Sequence, residues 1–169
     1  VRVIDTGVNA MTGARIARAF DAVTGHDQGK SFENFAVTYG DGVSDVPLTE
    51  ELAAHGNSSS IGTVLGVHPS ARFGELTVDG HNRVLDFSEK PQSRSDWING
   101  GFFFFRKNFR EYLSTDADCT LERAPLHTLA KDAQLSMFKH SGFWHPMDTL
   151  RDKVYLESLI AENKAPWMA

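Results

Sequence analysis

Cysteine is nearly absent: Cys119 is the single one in 169 residues. That excludes an intrachain disulfide and fits a reducing cytosol, and with no base motif beside it the thiol reads as structural. Clustered positive charge is also missing, since 17 Lys plus Arg stand against 22 Asp plus Glu for a net charge of −5. Affinity for nucleic acid rests on clustered Lys and Arg, so nucleic acid is excluded as a partner. No apolar run approaches the roughly 18 to 20 residues that span a bilayer. The chain does not open with the basic and apolar segments of a signal peptide. The expectation is therefore a cytoplasmic protein with no membrane partner. Repeats, low-complexity tracts and interdomain linkers are absent too. At this length the chain accommodates one well-packed domain and is too short for two of ordinary size.

What is present is ordinary globular composition, 41% hydrophobic and 23% charged, organised around Phe35–Asp45, FAVTYGDGVSD. Phe35, Val37, Thr38 and Tyr39 favour strand and run into Gly40-Asp41-Gly42, so a strand buried on both faces is expected to end by presenting one carboxylate between two glycines. Ligands of open α/β sheets bind outside the carboxyl ends of strands. A carboxylate there suits magnesium, which takes one or two protein carboxylates and its other oxygens from phosphates and water. Asp-Gly is equally common turn chemistry, and the local sequence leaves both readings open.

In chain order, Val1–Ile4 reads as a strand, and a chain that begins with Val inside such an element suggests a missing N-terminal portion. Ile16, Ala19 and Phe20 predict an amphipathic helix that Thr12 could cap. With the Phe35 strand this would make a βαβ unit. Leu48–Leu52 starts a short helix with Thr49 as its cap. Strands follow at Ile61–Val67, Phe73–Val78, Val84–Phe87 and Gly101–Phe105. Asp79-Gly80 signals a hairpin, so the sheet is expected to be mixed. Short helices over Asn108–Leu113 and Leu121–Lys131 and a strand at Leu135–Lys139 precede a last helix, Leu150–Glu162. Thr149 and Asp152 resemble its capping box.

Three further clusters could carry chemistry. Pro91 holds Lys90 extended beside Glu89, so Lys90 could neutralise a phosphate and Glu89 accept sugar hydroxyls, although an exposed loop pair reads the same way. Trp97-Ile98-Asn99-Gly100-Gly101 precedes Phe102–Phe105; its paired glycines permit either a bulge or close approach of a ligand. Gly142–Thr149 places Asp148 just before the last helix, as a cap or as a second metal carboxylate. His145 reads as a packing or hydrogen-bonding residue, with no second His or Cys at ligand spacing.

In order, DTGVNAMTGARIARAF, VTYGDGVSDV, ARFGEL, EKP, WINGGFFFF, APLHTLA and HSGFWHPMDTLRDKVYLE through APW resemble the glucose-1-phosphate cytidylyltransferases, a branch of the sugar nucleotidyltransferases. The resemblance covers nearly the whole chain, and INGGFF together with MDTLRDK is its most specific part. It implies an α/β class: a truncated Rossmann-like nucleotidyltransferase fold, with a mixed central sheet flanked by helices, in which residues 1–169 form a single partial domain. It implies CTP and glucose 1-phosphate as partners, CDP-glucose and pyrophosphate as products, and Mg2+ as cofactor. Asp41 and Asp148 are then the metal ligands and, with Lys90, the catalytic residues. Arg15 and Gly40 lie by the nucleotide, Lys90 and Glu89 hold the sugar phosphate and sugar, and Asn99 and Gly100 line the glucose pocket. Such chemistry needs positioning and charge neutralisation more than a covalent nucleophile, which agrees with the lack of a Ser/His/Asp or Cys/His arrangement.

The family's Gly-rich loop of type GGxGTRL and the Lys-Pro segment after it have no counterpart in residues 1–169. Ala10 stands where a hydroxyl residue is usual before Met-Thr-Gly. The expectation is a metal and sugar half of a site without its nucleotide half, inactive alone, and self-associating as a homo-oligomer through the uncovered surface. The alternative is a non-catalytic module that binds a sugar phosphate or only itself.

Overall fold

The computed structural model describes residues 1–26, 32–68, 75–88 and 97–168. The chain divides into two compact units, one of Val1–Val37, Thr49–Val64 and Phe103–Met137 and one of Thr38–Leu48, Leu65–Phe102 and Phe138–Ala169. The helices are α1 (Thr12–His26), α2 (Leu48–Asn57), α3 (Ala124–Lys131) and α4 (Leu150–Ala161). The strands are β1 (Asn34–Thr38), β2 (Gly42–Ser44), β3 (Gly62–Val67), β4 (Glu75–Val78), β5 (Val84–Ser88), β6 (Ile98–Arg106), β7 (Leu135–Lys139) and β8 (Trp144–Pro146). Among the described residues no helix is long and apolar enough to cross a membrane.

The fold is α/β with a mixed sheet of order β1-β6-β3-β7. At one end of the β1–β6 pair the Lys107 N–H donates to the Glu33 carbonyl; at the other, Tyr39 N–H donates to the Gly101 carbonyl, so these strands run antiparallel. Gly62 N–H bonds the Gln134 carbonyl and His140 N–H the Gly66 carbonyl, so β3 and β7 run parallel. The sheet is thus mixed, but not because of the hairpin. The Asp79-Gly80 hairpin, β4–β5, forms a separate two-stranded sheet. Its turn is held by the Asp79 carboxylate, which accepts the His81 and Arg83 N–H groups at 2.8 and 3.0 Å.

In the first unit the core sits around β6, where Phe103 and Phe105 are fully buried and Phe102 and Phe104 only half so. Phe105 stacks on Phe109 with ring centroids 3.8 Å apart. A Cβ on Gly62 would come within 2.9 Å of both Leu129 and Phe105, so α3 presses on that face only because the strand carries glycine there. Toward Phe104, on the opposite face, His55 of α2 stacks at 6.3 Å and hydrogen-bonds Thr63 at 2.9 Å. Successive strand residues face opposite sides, so helices flank both faces. Each buried phenylalanine contributes about 1.5–3 kcal/mol.

Several sequence expectations change here. Val1–Ile4 forms no strand; Val1 and Val3 are exposed, and an extended segment without a ladder partner is not a strand. The opening βαβ unit therefore does not form. Strand β1 is an edge strand with Ala36 and Thr38 exposed, not one buried on both faces. The buried stripe of α1 is Ala14 and Ala17, with Ile16, Ala19 and Phe20 half-buried, because small residues allow the segment 117–121 to approach. Thr12 does not cap α1. Its hydroxyl accepts Leu121 N–H at 2.9 Å and donates to Glu122 at 3.0 Å, while a Cβ on Gly13 would meet Cys119 Sγ at 2.7 Å. Thr49 lies inside α2 rather than before it, Pro125 delays α3 to Ala124, and Lys107–Tyr112 is a 3₁₀ helix.

Candidate active site

The second unit brings the two expected metal carboxylates together through a ladder that the sequence concealed. β2 and β8 pair antiparallel, with Gly42 opposite Pro146, Val43 opposite His145 and Ser44 opposite Trp144. Met147 N–H extends the ladder by donating to the Asp41 carbonyl at 2.8 Å. Asp41 immediately precedes β2 and Asp148 closely follows β8, so both leave the same end of the ladder, and both are exposed.

Asp45 secures the other end. Its Oδ1 accepts Phe143 N–H at 2.8 Å and His140 Nε2–H at 2.7 Å, and Ser44 Oγ donates to the Phe143 carbonyl at 2.8 Å. The chain can turn this tightly because residue 142 is glycine; a Cβ there would lie 2.6 Å from Asp45 Oδ1. Phe35–Asp45 thus ends in a carboxylate that fastens structure, four residues after one left open to solvent.

The segment Asn99-Gly100-Gly101 belongs to the same unit and is irregular, with φ at +79° on Gly101. Gly101 N–H donates to Asn99 Oδ1 at 2.8 Å, and Asn99 Nδ2 donates to Tyr39 Oη at 3.2 Å. Tyr39 N–H bonds the Gly101 carbonyl at 2.9 Å, and Trp144 Nε1–H bonds the Gly100 carbonyl at 2.8 Å. The glycines serve a close approach within the protein itself, which neither sequence reading, a bulge or a ligand, had named: a Cβ on Gly101 would sit 2.7 Å from the Tyr39 ring, and one on Gly100 about 3.0 Å from Leu65.

Asp148 leads directly into α4, whose capping box is formed as expected. Thr149 accepts Asp152 N–H, and Asp152 accepts Thr149 N–H at 2.9 Å. The Thr149 hydroxyl and then the His145 ring, which donates to Asp152 Oδ1 at 3.1 Å, hold the Asp152 carboxyl below its ordinary range. His145 also lies 4.9 Å from the Tyr155 ring, the packing and hydrogen-bonding role expected of it.

The remaining site residues divide by location. Gly40 is exposed, with open space where a side chain would stand. Arg15 belongs to the first unit, where its guanidinium donates to Thr6 Oγ1 and the Val8 carbonyl, each at 3.1 Å. Glu89 and Lys90 lie outside the described residues. Sequence reasoning missed Tyr39, Asp45, His140 and Trp144, although Asp45 and Gly142 each stood at the edge of a segment singled out above. A cavity of about 140 Å³ lined by His68, His140, His145 and Tyr155 includes none of the expected site residues.

Asp41 and Asp148, two exposed carboxylates at one ladder end, are the donor type that a hard divalent cation takes. Among the described residues no group of three or more His, Cys, Asp or Glu is placed to enclose a metal by itself.

The family model described as Nucleotidyl transferase matches residues 11–149. Glucose-1-phosphate cytidylyltransferases of Salmonella typhi and Salmonella typhimurium are each 42% identical over 99% of this chain, which spans 62% of their length. In fold, the chain resembles a Bacillus anthracis protein provisionally named a glucose-1-phosphate thymidylyltransferase, with a TM-score of 0.59 and 18% identity, over 96% of this chain and 64% of that one.

Proposed function

The chain belongs to the nucleotidyl transferase family, and from that premise we propose that it carries the metal and sugar-phosphate side of a site that transfers a cytidylyl group from CTP to glucose 1-phosphate. The carrying observation is the register that delivers Asp41 and Asp148 to one end of the β2–β8 ladder. These two carboxylates would hold Mg2+, which when bound neutralises charge on the nucleotide phosphates. Asn99 and Gly100 border the glucose, Lys90 and Glu89 hold the sugar phosphate and sugar, and Gly40 serves the nucleotide. A phosphate oxygen of the sugar phosphate forms the new bond to the α-phosphorus as the bond to the β-phosphate oxygen breaks and pyrophosphate leaves. The protein's part is to align these groups and to exclude competing water.

The test is titration of Mn2+, as a paramagnetic stand-in for magnesium, into the 169-residue chain, followed by water-proton relaxation. Binding lost in Asp41→Asn and in Asp148→Asn, with the unfolding midpoint kept, is the expected outcome; wild-type binding in both variants removes the reading. Pyrophosphate release from CTP, compared with ATP, GTP and dTTP, tests the choice of base.

One observation favours the alternative of a non-catalytic, self-associating module: Leu76, Val78, Val84, Leu85 and Phe87 of the β4–β5 hairpin are all at least half exposed. Robust pyrophosphate release from CTP and glucose 1-phosphate by residues 1–169 alone overturns that alternative. A stable monomer in light scattering at high concentration overturns its homo-oligomer.

A further inference from the structure

The residues expected to border glucose do not hold themselves in place. Asn99 is pinned at both ends of its amide, since Oδ1 accepts the N–H of Gly101 at 2.8 Å and Nδ2 donates to the hydroxyl of Tyr39 at 3.2 Å. The same tyrosine fixes the neighbouring backbone, for its own N–H bonds the Gly101 carbonyl at 2.9 Å and its ring fills the space where a Gly101 side chain would stand. From β8, Trp144 donates its indole N–H to the Gly100 carbonyl at 2.8 Å. Tyr39 lies two residues before Asp41, and Trp144 four before Asp148. Each carboxylate-bearing strand segment therefore supplies one aromatic residue to the segment Asn99–Gly101. An amide so fixed presents a single orientation to a ligand, and fixing it in advance removes ordering cost from binding.

We propose that Tyr39 and Trp144 are positioning residues: by clamping Asn99-Gly100-Gly101 from the two strand segments that bear Asp41 and Asp148, they set the sugar-phosphate pocket. This rests on the sugar-phosphate reading above. Because the clamp ties the pocket to the carboxylate strands, both aromatics act through the Asn99 segment and neither needs to touch the ligand.

The experiment uses the 169-residue chain and glucose 1-phosphate, with affinity measured by isothermal titration calorimetry. Tyr39→Phe keeps the ring against Gly101 and deletes only the hydroxyl; Trp144→Phe deletes the indole N–H. Each is expected to weaken binding about tenfold. Asn99→Ala is expected to erase the further effect of Tyr39→Phe, as a double-mutant cycle requires of a residue that works through another. In ¹H–¹⁵N spectra of the ligand-free chain the Asn99 side-chain amide signals should shift in Tyr39→Phe while the backbone signals of the first unit stay in place. That readout holds even if Trp144→Phe fails to fold. Unchanged affinity in Tyr39→Phe overturns the proposal, as does a Tyr39→Phe loss that persists undiminished in Asn99→Ala. If the wild-type chain does not bind glucose 1-phosphate at all, the sugar-phosphate reading fails and this proposal falls with it.

Discussion

The two units of this chain weigh apolar burial and polar bonds differently, although the first also carries ion pairs such as Arg110–Asp21. The first is built on apolar burial: Phe103, Phe105, Phe109, Leu121 and Leu129 are almost completely removed from solvent. It even encloses a carboxyl, Glu51, whose two oxygens have no hydrogen-bond partner among the described residues, and burial pushes its pKa up to about 7. Among the described residues the second has fewer fully buried apolar side chains, chiefly Leu65 and Val67, and is fastened by Asp45, Ser44, Trp144, Asp152 and Tyr39 donating to or accepting from specific partners. Asp45 and Asp152 there meet donors, as Asp21 of the first unit meets Arg110, whereas burial drives Glu51 toward its neutral form. Nearly every candidate site residue described in the structure lies in the polar-braced unit. Precise placement of exposed groups comes from directional bonds, which apolar packing cannot supply.

The largest blow to this contrast should come from Phe105→Ala. It leaves a cavity between Phe103, Phe109 and Leu129 and is expected to cost about 3–5 kcal/mol, read as a shifted urea midpoint. Next is Gly101→Ala, which combines a left-handed backbone with a Cβ thrust into the Tyr39 ring. A loss of about 2–4 kcal/mol is expected in the same assay, together with loss of glucose 1-phosphate binding. A loss under 1 kcal/mol would mean that the segment yields easily and that bracing matters little.

Asp45→Ala removes the acceptor shared by Phe143 N–H and His140 and is expected to cost about 1–3 kcal/mol. Thermal unfolding of Asp45→Asn, which keeps one acceptor, should fall between it and wild type. The smallest effect concerns Glu51. Its folded pKa lies above its unfolded one, so its contribution is fully present below about pH 4.5 and is lost as pH rises toward 7. Wild-type stability is expected to lose about 1–2 kcal/mol of this origin between pH 5 and pH 8. Glu51→Gln should lack that component, and an identical pH profile in the two proteins would show that water or charge reaches the carboxyl.

Much of this was visible in the residues themselves. Thr149 and Asp152 announced their capping box because caps are local, and Asp79-Gly80 its hairpin because the five-residue loop Asp79–Arg83 is local. The sheet's mixed character was anticipated from that hairpin, yet it arises from β1, β3, β6 and β7, whose pairings span long stretches of chain. Strands β2 and β8 are three residues each, too short for any periodicity to reveal them. Val1–Ile4 shows the converse error: strand-favouring residues form no strand without a neighbour to pair with.

By itself, the sequence determined the family, through INGGFF and MDTLRDK in order, and nominated Asp41 and Asp148, since residue identity is what chemistry requires. The local Asp-Gly alone left Asp41 divided between turn and ligand, and only its resemblance to a family motif pointed to the ligand. Only tertiary structure decided that Asp41 and Asp148 share one ladder end, that Asp45 in the same stretch fastens rather than binds, and that Tyr39 and Trp144 hold Asn99 and Gly100. Those relations are carried by hydrogen bonds between residues distant in the chain, and no local pattern encodes a distant partner.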